Sequence, residues 1–390
     1  MSATLAPPDE AGVAAAIAAA HAAREPLAIE GNGSKRGLLR PVQAARTLST
    51  RNLSGITLYR PAELVLSARA GTPLPEIEAA LAEKGQHLIA EPPDLRALFG
   101  ASEPATLGGV VAANLSGPRR IAWGAMRDHV LGVRFVNGAG EVLRSGGRVL
   151  KNVTGLDLCK LLAGSYGTLG VMTEVTIKVL PAPEATATLL VEVPDLEAGV
   201  RALSAGLGSP FGVSGAALLP GAPHLAALRL EDFAPSVAYR MGRLREDLAR
   251  FGDARVIEAE DSRAFWRGVR DAAALGAGPR DAVWRVSVRP SAGPAVAAVA
   301  EALGGRALLD WGGGLVWVAA PADAASHDAL ATAAAASRRT CTLFRAPEAL
   351  RLAVPVLPAE PAPLAAIGAR VKAALDPAGI LNPGRMRAGL

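Results

Sequence analysis

Three glycine-rich segments of this chain contain the residue types that bind phosphorylated or flat ligands. The first is GNGSKRG at Gly31–Gly37, the second is ATLGGVVAANLSG at Ala105–Gly117, and the third is GSYGTLG at Gly164–Gly170. Because glycine has no Cβ, its backbone can come close to a ligand, and consecutive N–H groups can form a concave site for an anion. Together the three segments predict a binding site for a large ligand that carries phosphate.

The first segment matches neither of the two common nucleotide-binding motifs. It follows a predicted strand, but Arg36 stands where the dinucleotide fingerprint has its third glycine. The spacing before Lys35 is too short for a P-loop. A plain turn is therefore the alternative to a phosphate site at this position.

The other two segments also have structural alternatives. In the second, Thr106 is expected to cap a helix whose first turn carries Gly108 and Gly109, which cost roughly 1 kcal/mol each relative to alanine. That cost favours close approach by a ligand, and packing against another backbone is the alternative. The third lies within Lys151–Leu180, which reads as a short helix, four glycines and a strand. A tight helix-to-strand turn would explain it as well.

The elements around these segments predict an α/β region followed by a sheet with helices. Short strands and helices alternate from residue 26 to 180, and one helix is expected to begin at Thr72–Pro73, with Thr72 as N-cap and Pro73 as its first residue. The strands Val130–Val136 and Glu141–Leu143 flank NGAG, which is a hairpin signal.

The chain is expected to form two domains with an interrupted first domain. A proline-rich break at Pro181–Thr186 separates residues 1–182 from residues 183–346, where strands alternate with longer helices in a pattern typical of an antiparallel sheet covered by helices. Residues 347–390 are rich in proline and turn residues, so we expect this segment to return to the first domain.

Composition argues against several function classes. The formal charge is +5, but the basic residues are mostly scattered arginines among acids, so no nucleic-acid partner is expected. Cys159 and Cys341 are expected to be buried, which fits a reduced, cytoplasmic setting. The N-terminus lacks the basic start of a secretory signal, and no stretch has the roughly 18 apolar residues that cross a bilayer. Membrane contact is expected only through partners, at the inner face of the cytoplasmic membrane.

In combination, the motifs resemble the FAD-binding domain of the vanillyl-alcohol oxidase and p-cresol methylhydroxylase (PCMH) superfamily. The resemblance rests on the first two segments, the following WGAMRDHVLGV, the stretch GSYGTLGVMTEVTIKVL and the terminal DPAGILNPGR. It implies an α+β fold: a PCMH-type FAD-binding domain of two α/β subdomains, an antiparallel cap domain and a returning C-terminal tail. With VWRVSVRP and LLDWGGGLVW in the cap, the short chain looks like the smaller FAD-binding subunits of bacterial glycolate oxidases.

The resemblance also implies a set of FAD-binding residues. The first loop would hold the pyrophosphate, the second segment would continue along the pyrophosphate and ribityl chain, the third would line the flavin or adenine end, and the tail would approach the flavin ring. In that order the residues are Gly31, Asn32, Gly33, Ser34 and Lys35; Thr106, Gly108, Gly109, Ser116 and Asp128; Gly164, Gly167, Thr168, Gly170 and Val171; Asn382 and Arg385.

Histidines distinguish this chain from the related catalytic subunits. Those subunits carry a histidine-rich stretch in the cap around a metal, whereas the five histidines here are scattered without ligand spacing, so no metal is expected. His224 and His327 are expected to face solvent. No His or Cys occurs in GNGSKRG, so FAD is expected to bind noncovalently. Arg285, beside Trp284, is the candidate cation for a substrate carboxylate.

Three functions follow from these observations. The resemblance implies an FAD-dependent oxidoreductase subunit that oxidises glycolate or D-lactate to the 2-oxo acid. Its partners would be a larger FAD-binding catalytic subunit and an iron–sulfur subunit that passes electrons to quinone, and it would be active only in this hetero-oligomer. A structural subunit with a vestigial flavin site is one alternative. A stand-alone flavin oxidase of another small alcohol is the other.

Overall fold

The computed structural model describes residues 3–147, 155–337 and 340–389. The chain divides into two compact units. The first unit contains Met1–Leu115, Ala125–Ala182 and Ala359–Leu390, and the second contains Ser116–Gly124 and Pro183–Pro358. The first four residues of the stretch Lys151–Leu180, which contains the third segment, lie outside the described residues.

The described residues form the following helices and strands. The strands are β1 Ala3–Leu5, β2 Leu27–Glu30, β3 Arg46–Ser49, β4 Ile56–Arg60, β5 Val65–Arg69, β6 Gln86–His87, β7 Val130–Val136, β8 Val142–Gly146, β9 Val171–Lys178, β10 Leu180–Pro181, β11 Ala185–Val193, β12 Gly215–Leu219, β13 His224–Asp232, β14 Ala254–Glu258, β15 Asp281–Ser287, β16 Arg306–Asp310, β17 Leu315–Pro321 and β18 Thr340–Arg345. The α-helices are α1 Glu10–Ala23, α2 Leu74–Ala82, α3 Arg96–Phe99, α4 Leu107–Ala112, α5 Arg120–Trp123, α6 Leu158–Leu162, α7 Leu196–Leu207, α8 Ala234–Leu248, α9 Ala259–Arg270, α10 Gly293–Ala302, α11 Ala324–Ala336, α12 Glu348–Ala353 and α13 Ala362–Leu375.

The first unit contains a parallel sheet and an antiparallel sheet. The parallel sheet has the order β1–β3–β2, and the antiparallel sheet has the order β4–β5–β9–β7–β8. The predicted hairpin is confirmed, because β7 and β8 pair directly and the Asn137 side chain accepts the N–H groups of Ala139 and Glu141 within the turn. Val13 and Ile17 of α1 pack into one core with Leu27 of β2 and Leu48 of β3.

The predicted start of α2 is wrong by one residue. The helix begins at Leu74 with Pro73 as N-cap, and the N-cap makes no side-chain hydrogen bond. Thr72 is used elsewhere, since its Oγ1 donates to the Arg69 carbonyl at 2.7 Å and accepts the Gly55 N–H at 3.0 Å. The hydroxyl therefore closes the loop between β5 and α2 and does not cap the helix.

The C-terminal tail adds backbone pairing to the first unit. Leu27 N–H donates to the Ile380 carbonyl at 2.8 Å, and Asn382 N–H donates to the Leu27 carbonyl at 3.0 Å. The tail thus runs parallel to β2 at this point. Two boundaries differ from the predicted ones: the tail joins the first unit from Ala359 rather than 347, and Ser116–Gly124 belongs to the second unit.

Hydrogen bonds explain both differences. Leu343 N–H donates to the Val356 carbonyl at 2.9 Å, which keeps the stretch before Ala359 with β18. Trp311 Nε1 donates to the Gly117 carbonyl at 3.1 Å, which holds Ser116–Gly124 in the second unit.

The second unit is built on one eight-stranded antiparallel sheet with the order β14–β11–β13–β12–β16–β17–β15–β18. This confirms the predicted antiparallel sheet with helices. Trp266 of α9 is buried against it, its Nε1 donates to Thr188 Oγ1 at 2.8 Å, and Arg229 lies over its ring.

One histidine prediction is wrong. His327 of α11 is 5% exposed rather than solvent-facing, and its Nδ1 accepts a hydrogen bond from Trp284 Nε1 at 3.3 Å. The helix places it against β15, where burial lowers the pKa of the imidazole.

Cys159 and Cys341 are buried as predicted, and burial raises the pKa of the Cys341 thiol to about 12. In the part of the chain that the structure describes, no helix is long and apolar enough to span a bilayer.

Candidate functional site

The loop Gly31–Gly37 is held by side-chain hydrogen bonds to two other parts of the chain. Ser49 Oγ donates to the Gly31 carbonyl at 2.7 Å, and Asn32 Nδ2 donates to the Pro104 carbonyl at 3.1 Å. Gly33 has a φ of +71°, a left-handed conformation that favours glycine. The loop is therefore a fixed structure that is joined directly to the start of the second glycine segment.

The first and second glycine segments meet at four predicted residues. A Cβ built on Gly31 would lie 2.3 Å from Thr106 Oγ1, so only glycine fits beside this threonine. A Cβ built on Gly109 would lie 3.2 Å from Thr106 Oγ1 and 3.7 Å from Lys35 Nζ. The structure thus brings together a glycine loop, a hydroxyl, an ammonium group and the first turn of α4.

Lys35 provides the positive charge at this junction. Its Nζ donates to Ser34 Oγ at 3.1 Å, and desolvation by burial lowers the pKa of the ammonium to about 8, with Asp94 opposing and Arg385 adding to the shift. An ammonium group has three donors and no acceptor. A partly desolvated cation beside the Cβ-free surface of Gly109 is suited to an anionic ligand.

Different contacts surround the two adjacent glycines of α4. A Cβ on Gly108 would lie 2.7 Å from the Ala70 Cβ and 2.9 Å from the Ala70 carbonyl oxygen, so Gly108 packs against the residue that follows β5. At Gly109 the same atom would meet only Thr106 and Lys35 within 4 Å. Thr106 Oγ1 accepts the Gly109 N–H at 3.3 Å, which confirms the predicted cap of α4. Backbone packing therefore explains Gly108 but not Gly109.

The third segment is largely shaped by packing within the first unit. A Cβ on Gly170 would lie 2.7 Å from the Phe135 ring, and Val171 is 1% exposed in the hydrophobic core. Thr168 Oγ1 donates to the Ser165 carbonyl at 2.7 Å. Gly167 has a φ of +73°, and a Cβ there would lie 3.0 Å from Asn382 Nδ2.

Three other predicted residues have local structural contacts. Asp128 accepts the Ala125 N–H at 2.8 Å and so closes the 3₁₀ turn Met126–His129. A Cβ on Gly164 would come within 3.5 Å of the Asn114 Cβ. Ser116 is buried and belongs to the second unit, unlike the other predicted FAD-binding residues.

The two predicted tail residues bind protein backbone. Asn382 Oδ1 accepts the Ile29 N–H at 2.8 Å, and its Nδ2 donates to the carbonyls of Tyr166 at 2.8 Å and Ile29 at 3.3 Å. Arg385 donates to carbonyls of the first loop and its continuation, namely Lys35 at 3.3 Å, Arg36 at 3.4 Å and Arg40 at 3.2 Å. The tail side chains thus fasten the first and third segments, a role that we did not predict.

Sequence reasoning missed a buried ion pair in the same tail. The Asp376 side chain is fully buried and accepts hydrogen bonds from the N–H groups of Ile380 and Leu381. It also forms an ion pair with Lys372, whose Nζ lies 2.6 Å from the carboxylate. Lys372 Nζ also donates to the Thr168 carbonyl at 2.7 Å. The available signal was the Asp-Pro start of DPAGILNPGR, whose carboxylate precedes a turn.

In the second unit, Arg285 lies within a cluster of aromatic rings. Its guanidinium carbon is 4.9 Å from the Trp317 ring centroid, 5.5 Å from Trp311 and 5.6 Å from Phe344. Arg120 of α5 lies over the same Trp311 ring at 4.6 Å, a residue that sequence reasoning missed. Two guanidinium groups therefore share one indole. Across the described ranges, no three His, Cys, Asp or Glu side chains gather as metal ligands.

Comparisons with known proteins agree with this arrangement. A family model described as FAD binding domain matches residues 1–146, and one described as FAD linked oxidases, C-terminal domain, matches residues 359–386. The chain is 39% identical to glycolate oxidase subunit GlcE of Escherichia coli (strain K12) over 94% of both proteins. It is 30% identical to glycolate oxidase subunit GlcD of Bacillus subtilis (strain 168) over 46% of this chain and 37% of that protein.

Solved structures share the fold at low sequence identity. A 4-ethylphenol oxidase from Gulosibacter chungangensis superposes with a TM-score of 0.73 at 15% identity, over 98% of this chain and 88% of that one. An alkyldihydroxyacetonephosphate synthase gives 0.68 at 17% identity, over 97% and 76%. Both have the PCMH-type fold that the sequence predicted. Because it is 39% identical to GlcE over 94% of both proteins, the chain belongs to the GlcE family of FAD-linked proteins, and it is an FAD-dependent oxidoreductase.

Proposed function

We propose that the junction of the first two glycine segments holds the pyrophosphate of FAD without a covalent bond. The supporting observation is the position of the Lys35 ammonium next to Gly109, where a built Cβ would lie 3.7 Å from Lys35 Nζ. The donor set suits a diphosphate, because it combines a cation, a hydroxyl and backbone N–H groups. The proposed contacts are Gly31, Asn32, Gly33, Ser34, Lys35, Thr106 and Gly109.

The remaining predicted residues have less direct roles in this proposal. Gly108, Asp128, Gly170 and Val171 shape the surrounding backbone through the packing and turn contacts described above. Backbone groups of Gly164, Gly167 and Thr168 line the flavin or adenine end. Bound FAD supplies a two-electron acceptor, while the protein residues bind and orient it.

We further propose that the reaction is oxidation of a small 2-hydroxy acid, glycolate or D-lactate, to the 2-oxo acid. The relative from Escherichia coli is a glycolate oxidase subunit. Such a substrate needs a cation for its carboxylate, and a planar guanidinium can bind both carboxylate oxygens. Arg285 is the proposed cation, since the rings of Trp311, Trp317 and Phe344 fix its position.

The proposed enzyme acts as one subunit of a larger assembly. The curated relatives carry subunit names, GlcE and GlcD. We propose a larger FAD-binding subunit and an iron–sulfur subunit as partners, with electrons passed onward to quinone and membrane contact only through these partners.

The visible absorption spectrum of the purified chain tests the proposal, before and after anaerobic glycolate, alone and with the partner subunits. Flavin bands that appear without covalent attachment and are bleached by glycolate in the complex would support it. A chain without flavin bands, even after incubation with FAD, would contradict it and indicate a structural subunit. Bleaching in the isolated chain would show that the partners are not required for substrate oxidation.

The role of Arg285 is tested by Arg285→Lys in the complex. The ammonium keeps the charge but loses the planar fork, so we expect the KM for glycolate to rise about tenfold. Arg289→Lys is the matched control, because Arg289 is an exposed arginine shortly after β15. An unchanged KM in the Arg285 variant would assign Arg285 to the packing of the aromatic cluster alone.

A further inference from the structure

The C-terminal tail contacts β2 and parts of the first and third glycine segments, which belong to the proposed FAD site of the first unit. Its backbone pairs with Leu27 at the start of β2, and its Asn382 side chain binds Ile29 at the end of β2 and the carbonyl of Tyr166. Lys372 donates to the carbonyl of Thr168. These contacts join residues more than 200 positions apart in sequence.

Arg385 is the tail residue that binds the pyrophosphate loop. Its guanidinium donates to the carbonyls of Lys35, Arg36 and Arg40, while the Arg40 N–H donates back to the Arg385 carbonyl at 3.1 Å. The Lys35 carbonyl also accepts the Leu38 N–H at 3.0 Å. These bonds fix the backbone that carries the Lys35 ammonium.

The tail is itself held rigidly where it makes these contacts. Asp376 is fully buried and binds two backbone N–H groups and Lys372, and Ile380 and Leu381 are 1% and 0% exposed in the core. A forked donor with several fixed acceptors holds a loop more precisely than a single flexible ammonium does.

We propose that Arg385 is a positioning residue for FAD: it fixes the backbone of the pyrophosphate loop through three carbonyl groups and thereby sets the affinity for the diphosphate. This inference rests on the proposed FAD site. It assigns the effect of the tail to the geometry of residues 35–40, and not to a contact between Arg385 and the cofactor.

The test is Arg385→Lys in the full chain, with Arg370→Lys as the matched control. Lysine keeps the positive charge but cannot reproduce the fork, and Arg370 is an exposed arginine on α13 of the same tail. We expect the apoprotein of the Arg385 variant to bind FAD and ADP about tenfold more weakly, a change of about 1.4 kcal/mol. Hydrogen–deuterium exchange of a peptide covering residues 31–40 should rise in this variant and not in the control.

Each other outcome has a definite meaning. Unchanged ADP affinity with raised exchange would overturn the inference, because the loop would then be loosened without consequence for binding. Weaker ADP binding with unchanged exchange would also overturn it and point to direct contact with the diphosphate. A wild-type apoprotein that binds neither ADP nor FAD would refute the proposed FAD site itself.

Discussion

Adding a methyl group at each of the adjacent glycines of α4 should have opposite effects on stability. Gly108→Ala places the methyl group 2.7 Å from the Ala70 Cβ, which is too close for two carbon atoms. Gly109→Ala places it 3.2 Å from Thr106 Oγ1 and 3.7 Å from Lys35 Nζ, where only a small adjustment is needed. Both changes gain about 1 kcal/mol of helix propensity.

The expected magnitudes follow from these distances. Overpacking in a dense interior costs about 1–3 kcal/mol, so Gly108→Ala should lower the free energy of unfolding by up to about 2 kcal/mol after the helix gain. Gly109→Ala should leave it unchanged or raise it by up to about 1 kcal/mol. The same methyl group occupies the space in front of Lys35, so FAD should bind at least about tenfold more weakly, or about 1.4 kcal/mol.

Denaturant unfolding of the apoproteins and titration with FAD measure the two effects separately. The decisive result is the Gly109 variant, in which FAD affinity is expected to fall while stability is unchanged or raised. Native FAD affinity in a stable Gly109→Ala protein would refute the idea that this surface faces the pyrophosphate. A Gly108→Ala protein as stable as wild type would refute the packing explanation for the neighbouring glycine.

Three further predictions concern charged groups. Because only the protonated lysine attracts an anion, FAD affinity should fall by up to about tenfold per pH unit above the Lys35 pKa of about 8. Lys35→Met should remove this pH dependence. Titrations of both proteins with FAD from pH 7 to 10 measure the difference. Burial raises the pKa of Glu231, but Arg229 and other partners lower it by a larger amount, so that the pKa is about 2. The ionised Glu231 should therefore contribute about 3 kcal/mol to the free energy of unfolding above pH 4.5, and this contribution should be lost as the pH falls toward 2. In acid unfolding, Glu231→Gln should not show this decrease. Asp376→Asn should destabilise the protein by about 3 kcal/mol in thermal or denaturant unfolding, because it leaves the Lys372 ammonium without its carboxylate partner.

Local patterns were sufficient to predict much of the fold. The hairpin around Asn137 follows from turn chemistry between two apolar runs, and the cap of α4 follows from Thr106 two positions before a glycine pair. The start of α2 was misplaced because the Thr72 hydroxyl has acceptors in a neighbouring loop that sequence spacing does not reveal. His327 was misplaced because α11 carries few polar residues, so helical spacing does not distinguish its buried face from its exposed one.

The residues of the proposed FAD site follow from the sequence, but the reason for each glycine does not. Residue type alone gives Gly108, Gly109 and Gly170 the same meaning, namely a backbone without a side chain. In the structure Gly108 faces Ala70, which follows β5, and Gly170 faces Phe135 of β7. Only the residue opposite each glycine decides whether it makes room for a ligand or for the protein itself.

The tail shows the same limit for charged residues. In the sequence, Asn382 and Arg385 are polar residues in a motif shared with flavoproteins, and direct contact with the cofactor is the simplest interpretation. Their partners are backbone groups of Ile29, Tyr166 and Lys35, about 216 to 353 positions away, and backbone donors and acceptors leave no signature in residue type. On the proposal for Arg385, the motif serves the cofactor site by holding the binding backbone in place, and the arginine-to-lysine exchange at residue 385 separates that role from direct binding.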